Sequence, residues 1–296
     1  MIALHKKGDR SKLDNYRGIC LLQVISRLVA RIAGRRVSAH LERTGFLAGE
    51  QWGFRPYRSA TDALFVLSRH MADAARVVSD DPIVLDMMDI QKAYPNCSRD
   101  AMEEALSRAG VPGHLRNLLA KMDSETSYSC RAATGRSEPY GTLRGTREGC
   151  PAAPVKFNAL HQCATDAVTA RRLSQGEAGQ VVVGLFTPAQ VWPDGMWGKM
   201  ARVDRLPGEV EGFETATLRA VGYADDTTLV SRLSSVDKDR EAATQGYGDW
   251  GHKIQEGKWQ WRRSGPTAPP PCRASDGLRL TGSESPRLLL GSGWRQ

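Results

Sequence analysis

Two adjacent acidic residues, Asp225 and Asp226, constrain the fold of this chain more than any other feature of its sequence. Apolar segments at 218–221 and 229–230 flank them, which predicts two short strands joined by a tight turn at the acids. The carboxylates repel each other, and burial at the tip of a hairpin removes the water around them. A divalent cation would neutralise the pair, whereas a surface turn uses Asp for backbone reasons alone. The motif by itself leaves both interpretations open.

A second acidic position, at the end of another predicted strand, favours a metal site. The apolar run 83–85 leads into Asp86 and Asp89, which predicts a buried strand that ends in carboxylates. If this strand is the sheet neighbour of the strand at 218–223, Asp89 and Asp225 face each other across one sheet. Carboxylates placed in this way would hold two Mg²⁺ ions at the attacking and leaving oxygens of an in-line phosphoryl transfer.

Apolar residues at helical spacing predict three helices. The stripes consist of Leu21, Ile25, Leu28 and Ile32, of Leu115, Leu118, Leu119 and Met122, and, after Pro154, of Phe157, Leu160, Ala164 and Val168. We expect these stripes to face the core. A fourth helix is expected at 101–108, with Asp100 as its N-terminal cap and Gly110 after its end. The polar segment 1–16 predicts a loop or a hairpin.

The chain is basic, with 41 Lys and Arg residues against 33 Asp and Glu residues and a formal net charge of +8. Such a balance suits binding to a polyanion, but charge that only keeps a protein in solution looks the same. Arg27, Arg31 and Arg35 recur every four residues and leave the same alternatives, a basic ridge near phosphates or a solvated face.

No apolar run is long enough to cross a bilayer, and residues 1–10 lack the apolar core of a signal peptide. We therefore expect no membrane partner and an intracellular location, in the nucleus or the cytoplasm. The six cysteines are scattered without the spacing of metal ligands, so we expect free and mostly buried thiols.

Seven motifs follow one another along the chain in an order that a known family shares. They are KKGD with NYRGI (6–9 and 15–19), QWGFR (51–55), DIQKAY (89–94), REGCP (147–151), YADD (223–226), WGHKI with Lys258 (250–258) and LLLG (288–291). In these motifs the chain resembles the reverse transcriptases of non-LTR (LINE-type) retrotransposons, and more distantly those of group II introns. Most of the motifs are weak individually, but their common order is highly specific.

The resemblance implies an RNA-directed DNA polymerase that adds deoxynucleotides from dNTPs to a DNA primer on an RNA template. It implies two Mg²⁺ ions as cofactors, with Mn²⁺ as an alternative. The catalytic residues would be Asp89, Asp225 and Asp226, with Asp226 in a supporting role. The metal ligands would be Asp89, Ile90, Asp225 and Asp226.

Nucleotide-binding roles follow from the same resemblance. Arg17 would clamp the triphosphate, and Lys6 or Lys7 would assist as a point charge. Tyr94 would pack under the sugar and exclude a 2′-hydroxyl, or serve as a core aromatic, and Gly149 would let the backbone approach the nucleotide. Glu148 and Lys258 would also bind the nucleotide, although an ordinary surface lysine is an equal alternative for Lys258. Leu290 and Gly291 would belong to the primer grip.

Several positions depart from the family pattern, and two of them bear on function. Glu148 stands where the family has Gln, and an ionised carboxylate would repel a triphosphate instead of donating a hydrogen bond to the nucleotide. Lys156 stands where an apolar helix residue is usual, so we expect it to reach solvent or to destabilise the fold. These departures leave a catalytically impaired remnant that only binds nucleic acid as an alternative. A maturase-like RNA-binding protein and an unrelated basic module are weaker alternatives.

The implied fold is α/β (α+β), the fingers and palm of a right-hand polymerase with an antiparallel palm sheet backed by helices. We expect a fingers-like subdomain at 1–80 and a palm at 81–263, with an insertion or long loop near 180–214. A linker with the primer-grip segment is expected at 264–296, and a thumb is expected to be absent. The sequence does not indicate an oligomeric state.

Overall fold

The computed structural model describes residues 1–75, 80–124, 126–132, 135–176, 181–186, 213–255 and 259–264. Its strands are β1 (Ile2–His5), β2 (Tyr16–Ile19), β3 (Ile83–Asp89), β4 (Arg131–Ala132), β5 (Gly135–Arg136), β6 (Val181–Phe186), β7 (Phe213–Leu218), β8 (Ala220–Tyr223), β9 (Asp226–Arg232) and β10 (Gln260–Arg263). Its α-helices are α1 (Val24–Arg43), α2 (Ala60–Ala74), α3 (Ala93–Asn96), α4 (Arg99–Arg108), α5 (Gly113–Ser124), α6 (Ala153–Ser174) and α7 (Val236–Asp249).

A four-stranded antiparallel sheet in the order β10-β3-β9-β8 forms the middle of the fold. The predicted antiparallel sheet is confirmed, and so is the hairpin at the two acids, whose arms are β8 and β9. The expected pairing of β3 with the first arm is wrong, because β9 lies between β3 and β8. The longer arm β9 has consecutive buried residues at 229–231, which suits a central strand, whereas β8 has only four residues.

The free edge of β8 is covered by the segment 50–52, which leads into the QWGFR motif. Gln51 forms a parallel bridge with Gly222. The Trp52 N–H donates to the Gly222 carbonyl at 2.7 Å, and the Gly222 N–H donates to the Glu50 carbonyl at 2.8 Å. These backbone hydrogen bonds join two distant segments of the chain and hold the hairpin at its otherwise open side.

Helix α6 is the central helix of the fold. All residues from 155 to 164 are buried, and α1, α4 and α7 pack against it. The predicted helix after Pro154 is confirmed, with Phe157, Leu160, Ala164 and Val168 all buried. A helix that is buried on nearly every side needs packing partners on every side, and this accounts for its position between the sheet and the other helices.

The cap of α4 differs from the prediction. The helix begins at Arg99, so the capping position falls on Ser98, whose hydroxyl accepts a hydrogen bond from the Ala101 N–H at 3.2 Å. Asp100 instead lies in the first turn, where its negative charge interacts favourably with the helix dipole. Gly110 follows the helix in the left-handed conformation, with φ of +70°, as expected after a helix end.

Helix α1 is oriented opposite to the prediction. The expected core stripe is exposed at all four of its positions, Leu21, Ile25, Leu28 and Ile32. The buried residues of the helix are Ala30, Ala33, Gly34, Val37 and Leu41. A Cβ at Gly34 would lie 3.2 Å from the Ala152 Cα at the start of α6. Small side chains therefore let α1 approach α6 closely, and the larger aliphatic side chains remain outside.

The other predicted stripe and the N-terminal hairpin agree better with the structure. Leu115 and Leu119 of α5 are buried, whereas Leu118 is partly exposed. Strands β1 and β2 form the expected hairpin and extend a second sheet in the order β2-β1-β4-β5. The segment near 180–214 is not a loop throughout, because β6 and β7 pair at its two ends. Residues 187–212 and 265–296 lie outside the described residues.

The cysteines of the described part of the chain are free thiols, as predicted. Cys97, Cys150 and Cys163 are buried, Cys20 and Cys130 are partly exposed, and Cys272 lies outside the described residues. None of the described helices combines the length and the apolar character that crossing a bilayer requires.

Candidate active site

The tip of the β8–β9 hairpin is a two-residue turn formed by Ala224 and Asp225. Tyr223 and Asp226 close it as the last paired residues of the two strands. Ala224 has a φ of +59°, a conformation that a residue with a side chain adopts only at some cost. A Cβ on Gly53 would lie 2.2 Å from the Ala224 nitrogen. Only glycine fits at position 53, and its contact supports the turn from the side of the QWGFR motif.

The three predicted catalytic acids lie at one end of the central sheet. Asp89 and Asp226 are directly opposite each other in the register of β3 and β9, where paired Cα atoms are about 4.5–5.5 Å apart. Asp225 is half-buried in the adjoining turn. Burial raises its pKa, a backbone hydrogen bond opposes this, and the nearby charge of Asp89 raises the pKa further. The acids are thus brought together, although by a different strand pairing than expected.

Ile90, the fourth predicted metal ligand, has a buried side chain and can offer only its backbone. The Asp89 carbonyl accepts a hydrogen bond from the Gln255 N–H at 2.9 Å, on the side of β3 away from β9. Carbonyl groups alternate along an extended strand, so the Ile90 carbonyl points to the opposite side, towards the β8–β9 turn. Within the described ranges, no three His, Cys, Asp or Glu side chains form a group that could hold a metal ion.

Arg17 and Glu148 face each other beside the acids. The Arg17 Nε is 3.7 Å from the Glu148 Oε2. Burial raises the pKa of Glu148, the charges of Arg17 and Lys6 oppose this rise, and the charge of Asp225 adds to it. The guanidinium that was expected to bind phosphate therefore has a carboxylate next to it. Lys7 is exposed in the loop between β1 and β2, and Lys258, Leu290 and Gly291 lie outside the described residues.

Tyr94 and Gly149 each make a structural contact of their own. The Tyr94 ring stacks on Phe157, with 5.0 Å between the ring centroids. Its hydroxyl is buried without a hydrogen-bond partner among the described residues, and burial, followed by the charge of Asp225, raises its pKa. Gly149 has a φ of +100°, and a Cβ there would lie 2.8 Å from the Cys20 carbonyl oxygen. Its lack of a side chain is thus already required by a contact within the protein.

A buried polar network lies directly behind the hairpin, and sequence reasoning did not find it. Gln51 Nε2 donates to His161 Nδ1 at 3.2 Å, while Gln51 Oε1 accepts from the Gly53 N–H at 2.9 Å. This arrangement assigns the remaining proton of the ring to His161 Nε2, which is 2.9 Å from both Thr227 Oγ1 and Tyr247 Oη. Because Thr227 follows the acidic pair directly, the network fixes the hairpin from its buried side.

Because two imidazoles are buried, we expect the free energy of unfolding to fall at acidic pH. Burial lowers the pKa of His161 to about 3 and that of His252 to about 4. Both rings are neutral in the folded protein, whereas in the unfolded chain they take up a proton near pH 6.5. The contribution of the two neutral rings to the free energy of unfolding is complete above about pH 6.5. It is lost as the pH falls towards the folded pKa values, by up to about 1.4 kcal/mol per pH unit for each group. Urea unfolding between about pH 7.5 and 5.5 measures this loss.

His252 provides a matched control for that experiment. Its ring packs against Phe157 and Tyr247, with centroid distances of 5.6 and 6.0 Å, and its Nε2 has no hydrogen-bond partner among the described residues. His252→Phe keeps the ring and removes one titrating group, so we expect it to reduce the pH-dependent loss by about half. An unchanged dependence on pH in this variant would contradict the assignment.

Contrary to the expectation, the Lys156 side chain does not reach solvent. It is buried on α6, and its Nζ forms an ion pair with Asp123 of α5, which is also buried. Arg147 of the REGCP motif is buried beside them, with its Nε 3.7 Å from Asp123 Oδ1. The expectation was wrong because a carboxylate 33 positions earlier in the chain compensates the lysine charge.

The chain matches one family model and two known proteins of related type. The family model described as reverse transcriptase (RNA-dependent DNA polymerase) matches residues 4–284. Over 156 residues, the chain is 24% identical to the Pol polyprotein of the R2 retrotransposable element from Popillia japonica and 23% identical to that from Nasonia vitripennis. These matches cover 52% and 53% of this chain. The chain spans only 21% and 14% of the length of these relatives.

Solved structures with the same fold include telomerases. The telomerase of Candida tropicalis in complex with a TWJ fragment of telomeric RNA aligns with a TM-score of 0.51 and 7% identity, over 87% of this chain and 35% of that one. The corresponding Candida albicans complex aligns with a TM-score of 0.50 and 10% identity, over 80% of this chain and 35% of that one. At these identities the likeness concerns the fold, a polymerase fingers and palm.

Proposed function

Because the chain belongs to the reverse transcriptase (RNA-dependent DNA polymerase) family, we propose that it contains the fingers and palm of an RNA-directed DNA polymerase. Such an enzyme adds deoxynucleotides to a DNA primer on an RNA template. The observation that carries this proposal is the register of β3 and β9, which sets Asp89 opposite Asp226 beside the turn that holds Asp225. Convergent carboxylates at the surface of a rigid sheet suit phosphoryl transfer, which depends on positioning and charge stabilisation.

The proposed metal ligands are Asp89, Asp225 and the Ile90 carbonyl, with Asp226 in support. The half-buried Asp225 carboxylate lies beside a like charge, and a divalent cation would relieve that repulsion. Mg²⁺ commonly keeps water and substrate phosphates among its ligands, so a sparse set of protein ligands is sufficient. Bound Mg²⁺, or Mn²⁺ in its place, would lower the pKa of the primer 3′-hydroxyl and stabilise the charge on pyrophosphate.

Arg17 is the proposed triphosphate ligand, because a guanidinium binds phosphate oxygens in a bidentate manner. Lys7 would add positive charge from the neighbouring loop. The proposed role of Tyr94 beneath the sugar is compatible with its stacking on Phe157. Its hydroxyl, which has no hydrogen-bond partner in the described part of the chain, lies within the electrostatic range of Asp225. The remaining assignments, Gly149 and Lys258 at the nucleotide and Leu290 with Gly291 at the primer grip, rest on motif resemblance alone.

The proposed division of the chain follows from the same resemblance. The fingers-like part would comprise residues 1–80, and the palm would comprise residues 81–263 with an insertion near 180–214. Residues 264–296 would form the linker and the primer-grip segment.

Glu148→Gln is expected to raise kcat/KM for dNTP incorporation about tenfold. A carboxylate near the triphosphate costs on the order of 1–2 kcal/mol at an effective dielectric constant near 20. The amide removes this repulsion and frees the Arg17 guanidinium for the substrate. Single-nucleotide incorporation measures the effect, and Glu104→Gln, on the exposed side of α4, is the matched control. An unchanged or lower rate in Glu148→Gln would contradict the assignment.

Primer extension on poly(rA)/oligo(dT) with Mg²⁺ or Mn²⁺ tests the proposed function. We expect incorporation that requires both the template and the divalent ion. The pairing of Arg17 with Glu148 favours a second candidate, a chain that binds nucleic acid but extends it poorly. Salt-dependent binding to an RNA/DNA hybrid without incorporation would support that candidate over the first.

A further inference from the structure

Helix α1 has a second apolar face, on the side opposite to the one that packs against α6. We call it the α1 outer ridge, and it consists of Val24, Ile25, Leu28, Val29 and Ile32. The exposed fractions of Val24, Ile25 and Leu28 are 81%, 76% and 57%. Single exposed aliphatic residues are ordinary on a protein surface, but a contiguous apolar patch typically marks an interaction site.

The charged residues around the outer ridge all have the same sign. Arg31 lies on one flank of the ridge, Arg35 and Arg36 lie at its C-terminal end, and Arg27 lies further round the helix, as 100° per residue requires. All four are exposed. The helix has no acidic residue before Glu42, and none of the four arginines forms an ion pair within the part of the chain that the structure describes. The surface therefore combines an apolar row with uncompensated positive charge.

This combination distinguishes between kinds of partner. Nucleic acid would use the arginines, but its phosphates and sugars give the aliphatic row nothing to contact. A helix that lies on a lipid bilayer typically carries Trp, Phe and Leu on its apolar face. The outer ridge has a single Leu and no aromatic residue, and Val and Ile form the rest of it. Branched aliphatic side chains have few rotamers, and their i, i+4 rows fit the grooves of a second helix.

We propose that the α1 outer ridge docks an amphipathic helix of a partner protein whose apolar face is bordered by Asp and Glu. The aliphatic side chains of that helix would cover Ile25, Leu28 and Ile32. Its acidic residues would pair with Arg31 on the flank and with Arg35 and Arg36 at the end. This interface lies on the face of α1 directed away from α6.

A designed peptide tests this proposal with the full 296-residue chain. The probe is a fluorescent helical peptide of about 18 residues, or five turns, with Leu along one face and Glu at its borders. We expect saturable binding in fluorescence anisotropy and binding at least about tenfold weaker with Leu28→Asp, because the new charge would be buried in the contact. Leu143→Asp is the matched control, since Leu143 is 99% exposed and lies outside α1.

Charge reversal distinguishes a specific interface from nonspecific binding of the peptide. The double variant Arg31→Glu, Arg35→Glu is expected to lose the Glu-bordered peptide and to bind the same peptide with Lys at its borders. Equal binding of both peptides to the unchanged protein, or no binding of the Glu-bordered peptide, would overturn the proposal.

Three further binding experiments would identify a different partner for the ridge. Leu28→Asp could abolish binding to single-stranded RNA, binding to vesicles of phosphatidylcholine and phosphatidylserine, or a concentration-dependent dimer in sedimentation. These results would assign the ridge to nucleic acid, to a membrane or to a second copy of the chain, and each would overturn the proposal. Thermal unfolding of Leu28→Asp is expected to match that of the unchanged protein, because the side chain is exposed.

Discussion

Replacement of Asp225 by Asn is expected to lower nucleotide incorporation at least about a thousandfold, or about 4 kcal/mol of transition-state stabilisation. The amide has the same shape but carries no negative charge, so the proposed metal site loses one of its two principal carboxylates. Asp226 is a poor substitute, because it is exposed at the start of β9 whereas Asp225 is half-buried in the turn. Single-turnover incorporation measures the loss.

Thermal unfolding provides the control for this variant. Burial and the charge of Asp89 raise the pKa of Asp225, so its ionised form destabilises the metal-free fold. Asp225→Asn should therefore unfold at the same or a higher temperature, and only the unchanged protein should gain stability from added Mg²⁺. Asp237→Asn, whose carboxylate is 94% exposed on α7, should keep full activity. Activity of Asp225→Asn within tenfold of the unchanged protein would refute the role of this residue.

Asp123→Ala is expected to lower the free energy of unfolding by about 3–5 kcal/mol. The substitution leaves Lys156 without its buried partner and removes the nearest carboxylate from Arg147. An uncompensated charge inside the protein costs far more than the ion pair itself contributes. Urea denaturation with a linear extrapolation measures the difference.

The double variant Asp123→Leu, Lys156→Met is the informative control for that experiment. It replaces the ion pair with apolar groups of similar volume, so it should recover at least half of the stability that Asp123→Ala loses, about 2 kcal/mol. A single variant that loses less than about 1 kcal/mol, or a double variant that recovers nothing, would show that the two charges are not mutually compensated.

Local features of the fold were predictable because their causes are local. The hairpin at the acids follows from two apolar segments around a short polar turn, and the structure places the turn at Ala224 and Asp225. The helix after Pro154 follows from its inward-facing residues. The choice of sheet neighbour was not predictable in this way, because either arm of a hairpin can lie beside β3. The longer buried run in β9 decided it.

The orientation of α1 shows a limit of periodicity. The pattern correctly places Ile25, Leu28 and Ile32 on one face, but it does not state whether that face or the opposite one is buried. The opposite face carries the small residues Ala33 and Gly34, which permit close contact with α6. Packing distance decided the orientation, and a hydrophobicity pattern contains no information about packing distance.

Residues that act through distant partners were the hardest to predict. Lys156 looked anomalous because its partner Asp123 lies on another helix. His161 lies between Leu160 and Ala164 on a buried helix, and a polar residue at such a position was the only available signal. Its ring contacts Gln51, Thr227 and Tyr247, which come from three separate segments of the chain. Such networks depend on tertiary contacts, which a single sequence does not reveal.

The most direct test of the metal site is an anomalous diffraction measurement on a complex with Mn²⁺, template, dideoxy-terminated primer and dNTP. The account predicts manganese peaks within bonding distance of carboxylate oxygens of both Asp89 and Asp225, with the triphosphate completing the coordination. Manganese bound to the triphosphate without either carboxylate, in a complex with an ordered primer end, would contradict it.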